Sequence, residues 1–220
     1  VNVRLLENDS PPEHAKVLLV TSPSAENGKS LTSRGLARKL AELDYRVLLM
    51  DTDLKRGDQH KAFGKETIET AVIEQANRQN IEQFKVQDNL YFVPRIKKLR
   101  ETFGWLNSAS FKAFINNVAK PEFDYIIIDT APLLSVSDTF LLVEHADHCI
   151  LMARHGLTKI RELKQSVEVM QQVGREFCGI IYNAFEKPKG YFGYYQYYGN
   201  YSYKYYADKY LYDAYDYQKD

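Results

Sequence analysis

The chain has 220 residues, and 29 Lys+Arg balance 29 Asp+Glu to a formal net charge of zero. That balance gives no global pull toward nucleic acid or an anionic membrane. The longest apolar runs, such as YIIID, fall far short of the roughly 20 residues of a membrane span, no signal-peptide pattern opens the sequence, and the two cysteines, Cys149 and Cys178, read as reduced core thiols in apolar strand-like runs, so a soluble cytoplasmic protein is expected.

Taken in chain order, apolar β-prone runs alternate with helical patterns. KVLLVTS (16–22) predicts a first strand. LTSRGLARKLAELD (31–44) predicts a helix with Leu31, Leu36, Leu40 and Leu43 on its apolar side. YRVLLMD (45–51) is a second strand, IETAVIEQAN (68–77) a helix, and NLYFVP (89–94) a short strand. SFKAFINNVA (110–119) reads as a helix, FDYIIIDT (123–130) as a strand, and SDTFLLVEHA (137–146) as a helix opened by a Ser/Asp cap. DHCILMA (147–153), LTKIRELKQSVEVMQQVG (157–174) and FCGIIYN (177–183) complete a strand, a helix ending in Gly, and a last strand. Near-continuous apolar strands between helices predict an α/β fold with a mostly parallel sheet and helices on both faces. Ligands in such folds bind beyond the carboxyl ends of the strands.

From residue 187 the periodicity stops. Thirteen of the seventeen tyrosines fall in YFGYYQYYGNYSYKYYADKYLYDAYDYQKD (191–220). Tyr, Gly, Ser, Asn, Lys and Asp without a clear period predict a disordered, low-complexity tail.

The loop after the first strand carries the first chemistry. SPSAENGKS (22–30) joins a strand to a helix and ends in Gly-Lys-Ser, the core of a phosphate-binding loop. Backbone N–H groups at a helix start and the helix dipole favour phosphate. Gly28 lets the backbone come close, Lys29 is placed to reach the β- and γ-phosphates, and Ser30 offers a hydroxyl to Mg²⁺. Pro23 stands where the first glycine of the P-loop pattern belongs. The second strand ends in MDTDLKRG (50–57), whose Asp51 and Asp53 stand at i and i+2; the strand YIIID ends in Asp129. Beside a Mg²⁺–phosphate such acids hold the metal's water shell or accept a proton from an attacking hydroxyl.

On SPSAENGKS, VLLMDTDLKRG and YIIIDTAP the chain resembles the bacterial tyrosine kinases (BY-kinases), with their Walker A, Walker A′ and Walker B motifs. The resemblance runs from about Lys16 to Asn183. The Tyr-rich end extends it, because these kinases end in a tyrosine cluster. Within the family the likeness is to Wzc-type proteins, supported by SPS at 22–24, the KRG–H–FG run across 55–64, and IIIDTAPLLSVSD. The resemblance implies a P-loop NTPase fold of MinD/ParA type, ATP and ADP as nucleotides, and Mg²⁺. It implies a nucleotide site of Asn27, Gly28, Lys29, Ser30, Leu31, Arg154 and Asn183, with the Asn183 amide reading adenine. Catalysis is expected from Lys29, Asp51, Asp53 and Asp129, and metal binding from Ser30, Asp51 and Asp129. The expected phosphoacceptors are Tyr191, Tyr194, Tyr195, Tyr197, Tyr198, Tyr201, Tyr203, Tyr205, Tyr206, Tyr210, Tyr212, Tyr215 and Tyr217.

The resemblance further implies residues 1–15 as the remnant of a packing helix and linker, 16–186 as the kinase domain, and 187–220 as an autophosphorylated tail. The implied partners are other copies in a ring-like oligomer, an opposing tyrosine phosphatase and the polysaccharide export machinery. The native protein is expected to be anchored in the bacterial inner membrane, with this chain as a cytoplasmic fragment serving capsule or exopolysaccharide synthesis. Three departures stand out: Ala25, Glu26 and Asn27 in mid-loop where a glycine is common, Lys55 in place of an arginine, and VPRIKKLRETFGWLNSAS (93–110), with Trp105, in place of a Gly/Pro-rich stretch. That segment reads as a solvated loop with one packed Trp, or as an altered subunit contact.

Two other functions compete. A MinD/ParA-type ATPase switch would share the fold, but Ser22, Pro23 and Ser24 stand where that class carries a signature lysine. A non-enzymatic tail that condenses or stacks on single-stranded nucleic acid is a poor match. Residues 191–220 hold three lysines, four aspartates and no arginine, so no nucleic-acid partner is expected.

Overall fold

The computed structural model describes residues 14–97, 99 and 101–185. The N-terminal remnant up to residue 13 and all thirteen tail tyrosines lie outside the described residues.

Seven strands form one sheet: β1 (Lys16–Thr21), β2 (Val47–Asp51), β3 (Lys85–Gln87), β4 (Leu90–Val93), β5 (Tyr125–Asp129), β6 (His148–Arg154) and β7 (Phe177–Asn183). Their order is β3-β4-β2-β5-β1-β6-β7. Every pair is parallel except β3 with β4. The chain leaves β1 toward β2 and β4, returns to β5, and crosses to β6 and β7. This reversal beside β1 is a topological switch point, where a doubly wound sheet opens a ligand crevice.

The core is split by the sheet. On one face Leu18, Val20, Leu49, Phe92, Ile127 and Met152 pack under α1 (Lys29–Glu42). On the other, Val17, Leu19, Leu48, Met50, Ile126 and Ile128 pack under most of the other helices. Those include α3 (Thr70–Glu74), α4 (Thr102–Leu106), α5 (Ala109–Ala113), α7 (Asp138–Val143) and α8 (Ile160–Gln172). Two further short helices are α2 (Gln59–Ala62) and α6 (Lys120–Glu122), the latter joined to α5 by a π-helical turn, Phe114–Ala119. Strands β1, β2, β4 and β5 are almost wholly buried, which their unbroken Val/Ile/Leu runs require.

Several expectations are corrected. The inward face of α1 is Ser33, Ala37, Leu40 and Ala41, at i, i+4, i+7 and i+8. Leu31 is exposed because the five-residue step to Leu36 overshoots a helical turn, and Leu43 is exposed as the cap residue just past the end of α1. Small inward residues let α1 lie close to the sheet. The helix expected at 68–77 shrinks to α3, since Ile68 instead bridges to Ile96. The one expected at 137–146 contracts to α7, and Ser137 makes no side-chain cap; Asp138 instead accepts a hydrogen bond from the Thr102 hydroxyl at 2.6 Å. Cys178 is exposed, not a core thiol, because β7 is an edge strand; Cys149 is buried. The hairpin strand β3 carries no apolar signal beyond Val86. Segment 93–110 is not all loop: α4 lies within it, and Trp105 packs on Phe111 at 4.9 Å between ring centroids. Among the described residues no helix is long and apolar enough to cross a membrane.

Candidate active site

Strand register brings the sequence motifs together. Asp51 and Asp129 are Cα partners at the ends of β2 and β5, and Val20, one residue before the end of β1, pairs with Asp129 on its other side. Arg154 and Asn183 are partners at the ends of β6 and β7. Residues on adjacent parallel strands in register share a face, so motifs about 80 residues apart become neighbours.

The loop from Ser22 to Gly28 leaves β1 and enters α1. Glu26 and Gly28 adopt left-handed backbone, at φ 62° and 92°. The first helical hydrogen bond runs from Thr32 N–H to the Gly28 carbonyl at 3.0 Å. The N–H groups of Lys29, Ser30 and Leu31 therefore have no intrahelical acceptor, as at any helix start. The Leu31 side chain is exposed, so only its backbone N–H lies at the loop. The Glu26 side chain is exposed too, which keeps its carboxylate off the loop interior.

Asn27 is the hub of this loop and is fully buried. Its amide donates to the Ser24 carbonyl at 2.8 Å and to Ser24 Oγ at 3.1 Å. Its side-chain oxygen accepts from Thr158 Oγ1. Its backbone carbonyl accepts from the Asn183 amide at 3.3 Å. Arg154 donates to the neighbouring Glu26 carbonyl at 3.0 Å. The residues expected to contact nucleotide from β6 and β7 thus hold the phosphate loop.

Lys29 is 7% exposed and donates to Ser22 Oγ at 3.0 Å. Burial lowers its pKa, while the charges of Asp129 and Asp53 oppose the shift. Asp129 is fully buried. Burial raises its carboxyl to about 6, and bonds from Ser30 and Gln59, together with the Lys29 charge, pull it back. Asp51, 2% exposed, is raised to about 8 by burial first and then by the charges of Asp129 and Asp53. Asp53 is half-buried and accepts from the Arg56 N–H at 2.9 Å, so it also caps the turn that follows.

Three contributors carried no motif signal: Ser33, Gln59 and Thr158. Ser33 Oγ donates to the Lys29 carbonyl at 2.9 Å and lies 3.3 Å from Asp129 Oδ1. Gln59 donates to Asp129 Oδ2 at 2.9 Å. The only available hint was position, one helical turn after Lys29 for Ser33 and four residues after Arg154 for Thr158.

The residues fit a magnesium–nucleotide. Asp51 Oδ1 is buried with no hydrogen-bond partner, an uncompensated acceptor suited to a cation's water shell. Among the described residues no group of three or more His, Cys, Asp or Glu could hold a metal. A cation here would therefore take its remaining ligands from the Ser30 hydroxyl, water and phosphate.

Residues 16–178 match the AAA domain family. The tyrosine-protein kinase ptk of Acinetobacter johnsonii is 32% identical over 175 residues, covering 78% of this chain and 24% of that protein. The chain thus spans about a quarter of that relative's length. The tyrosine-protein kinase CpsD of Streptococcus pneumoniae is 30% identical over 193 residues, covering 86% of this chain and 85% of CpsD. Among solved structures, the VpsO kinase domain superposes with a TM-score of 0.70 at 25% identity, covering 78% of this chain and 86% of that one. The septum site-determining protein MinD of Pyrococcus horikoshii, complexed with Mg-ADP, shares the fold at a TM-score of 0.61 and 17% identity, covering 76% and 70%.

Proposed function

The chain belongs to the bacterial tyrosine-protein kinase family, and from that premise we propose that it transfers the terminal phosphoryl group of ATP to tyrosines in the C-terminal cluster of neighbouring copies. The observation that carries the reading is the convergence of Lys29, Asp51 and Asp129 at one sheet edge, beside a loop whose helix-start N–H groups have no intrahelical acceptor.

The loop N–H groups and Lys29 face the phosphates and oppose their charge. Asn183 and Arg154 take the nucleotide's far side, and the Asn183 amide has both a donor and an acceptor for a purine edge. Mg²⁺, held by Ser30 with Asp51 and Asp129 around its water shell, would neutralise phosphate charge as transfer proceeds. A tyrosine hydroxyl titrates near 10 and is a poor nucleophile at neutral pH. Asp51 or Asp53 accepts its proton as the oxygen bonds to phosphorus and ADP leaves.

We further propose that the acceptors lie between Tyr191 and Tyr217. Each phosphate adds roughly −1.5 to −2 charges, which would make a near-neutral segment strongly anionic and drive neighbouring copies apart. In the cell the chain would serve as the cytoplasmic kinase domain of an inner-membrane-anchored protein. It would work in a ring-like oligomer, opposed by a tyrosine phosphatase, to regulate export of capsule or exopolysaccharide.

A mixing experiment tests transfer between copies. A tagged Lys29→Met chain, mixed with wild-type chain and Mg-ATP, is expected to gain phosphotyrosine that it does not acquire alone. Release of phosphate without labelling of either chain would favour an ATPase switch.

A further inference from the structure

We infer that Gln59 is a positioning residue for the two buried aspartates of the site, holding Asp129 and Asp51 in the arrangement that receives the cation. Resting on the metal–nucleotide reading above, this gives a role to a residue outside all three motifs.

Gln59 opens the short helix α2, eight residues after Asp51, and is 1% exposed. It makes three hydrogen bonds in three directions. Its side-chain Nε2 donates to Asp129 Oδ2 at 2.9 Å. Its backbone N–H donates to Asp51 Oδ2 at 3.2 Å. Its Oε1 accepts from Arg34 Nη1 on α1 at 3.3 Å. One residue thus ties one oxygen of each carboxylate, and a guanidinium holds the amide from behind.

Amide orientation follows from these partners. Arginine can only donate and a carboxylate can only accept, so the oxygen faces Arg34 and the NH₂ faces Asp129. The residue type also follows. A lysine at 59 would neutralise the acids and compete with a cation. A glutamate would add a third negative charge to a dry cluster and remove the donor to Asp129 Oδ2. A neutral amide orients the Asp129 carboxylate and leaves its charge in place, while the bond to Asp51 comes from the backbone N–H. Partners behind a metal's ligands commonly contribute about 10–100-fold to metal affinity or activity.

The approach of the turn 53–57 supports the same arrangement. A Cβ at Gly57 would lie 2.2 Å from Asp51 Oδ1 and 2.6 Å from the Asp53 carbonyl. The absent side chain lets the turn close on Asp51 and deliver the Gln59 N–H to it.

The test uses Mn²⁺ as probe ion, with ADP, and reads free Mn²⁺ by electron paramagnetic resonance. Gln59→Met keeps the side chain's length and removes its hydrogen bonds. It is expected to weaken Mn²⁺ binding about tenfold and to lower kcat by about the same factor. The KM for ATP at saturating Mg²⁺, and ADP binding in chelator, should stay within about twofold of wild type, because the amide touches Asp129 and Arg34 and not the phosphate loop. Arg34→Met, which only frees the amide, should shift Mn²⁺ binding in the same direction by less. Unchanged Mn²⁺ binding in Gln59→Met would overturn the inference, as would an equal loss of metal-free ADP binding, the mark of a merely structural role. A wild-type chain that took up no Mn²⁺ with ADP would overturn the metal–nucleotide reading and this inference with it.

Discussion

The Asn183 side-chain amide donates to the Asn27 carbonyl at 3.3 Å, tying the end of the last strand to a phosphate loop 156 residues earlier in the chain. The contact is close enough to dictate the next residue. A Cβ at Gly28 would lie 2.2 Å from Asn183 Nδ2, and Gly28 sits at φ 92°. Gly28→Ala should therefore weaken ADP binding more than tenfold, measured by titration with a fluorescent ADP analogue. Adding Asn183→Ala removes the clash but leaves left-handed strain of about 1 kcal/mol and loses the amide, so the double variant should remain impaired. Wild-type affinity in Gly28→Ala would show that the loop does not need this approach.

Thr158 should matter to the same loop through a different atom. Its hydroxyl donates to Asn27 Oδ1 and accepts from the Arg154 N–H at 2.8 Å. Thr158→Val preserves shape and leaves a buried amide oxygen unpaired, at a cost of about 1–3 kcal/mol. The expected result is a raised KM for ATP, with Thr158→Ser close to wild type. Equal behaviour of the Val and Ser variants would remove the hydroxyl from the argument.

Gly57→Ala should destabilise the chain by about 1–3 kcal/mol, the usual range for forcing atoms into a packed site. The atoms met are the Asp51 carboxylate and the Asp53 carbonyl, and neither is a flexible side-chain end that can move away freely. Urea unfolding read by circular dichroism would measure it. An unchanged midpoint would mean that the turn relaxes.

Without divalent metal, stability should fall as pH rises. Asp51 is raised to about 8 and Asp129 to about 6, against an ordinary carboxyl value of roughly 4. Between roughly 4 and those values the folded chain keeps protons that the unfolded chain has released. Raising pH therefore favours unfolding through these two acids; burial lowers His145 from its ordinary value, which works the other way below about 6.5, so the fall is clearest from there to about 8, through Asp51. Asp51→Asn should flatten the upper part of the profile. Unfolding midpoints from pH 5 to 8.5 in chelator check this, and a profile that rises with pH would contradict it.

The sheet and the motif acids were legible because a parallel sheet obeys two simple rules. Buried strands read as unbroken apolar runs, and their carboxyl ends gather on one edge. Asp51, Asp129, Arg154 and Asn183 each end such a run. What escaped depends on contacts that no local pattern encodes. Gln59 matters through Asp129, seventy residues away, and Thr158 through Asn27, 131 residues away. The polar strand β3 pairs only because its hairpin with β4 places it at the sheet edge. The inward face of α1 differs from its leucine pattern because the close approach to the sheet uses the small residues Ser33 and Ala37.

Phosphate mapping on the purified chain decides whether it is a tyrosine kinase. After incubation with Mg-ATP, tandem mass spectrometry should find phosphotyrosine between Tyr191 and Tyr217 in the wild-type chain and none in Lys29→Met. Absence of phosphotyrosine from the wild-type chain, or equal labelling of the Lys29→Met chain, would contradict the account.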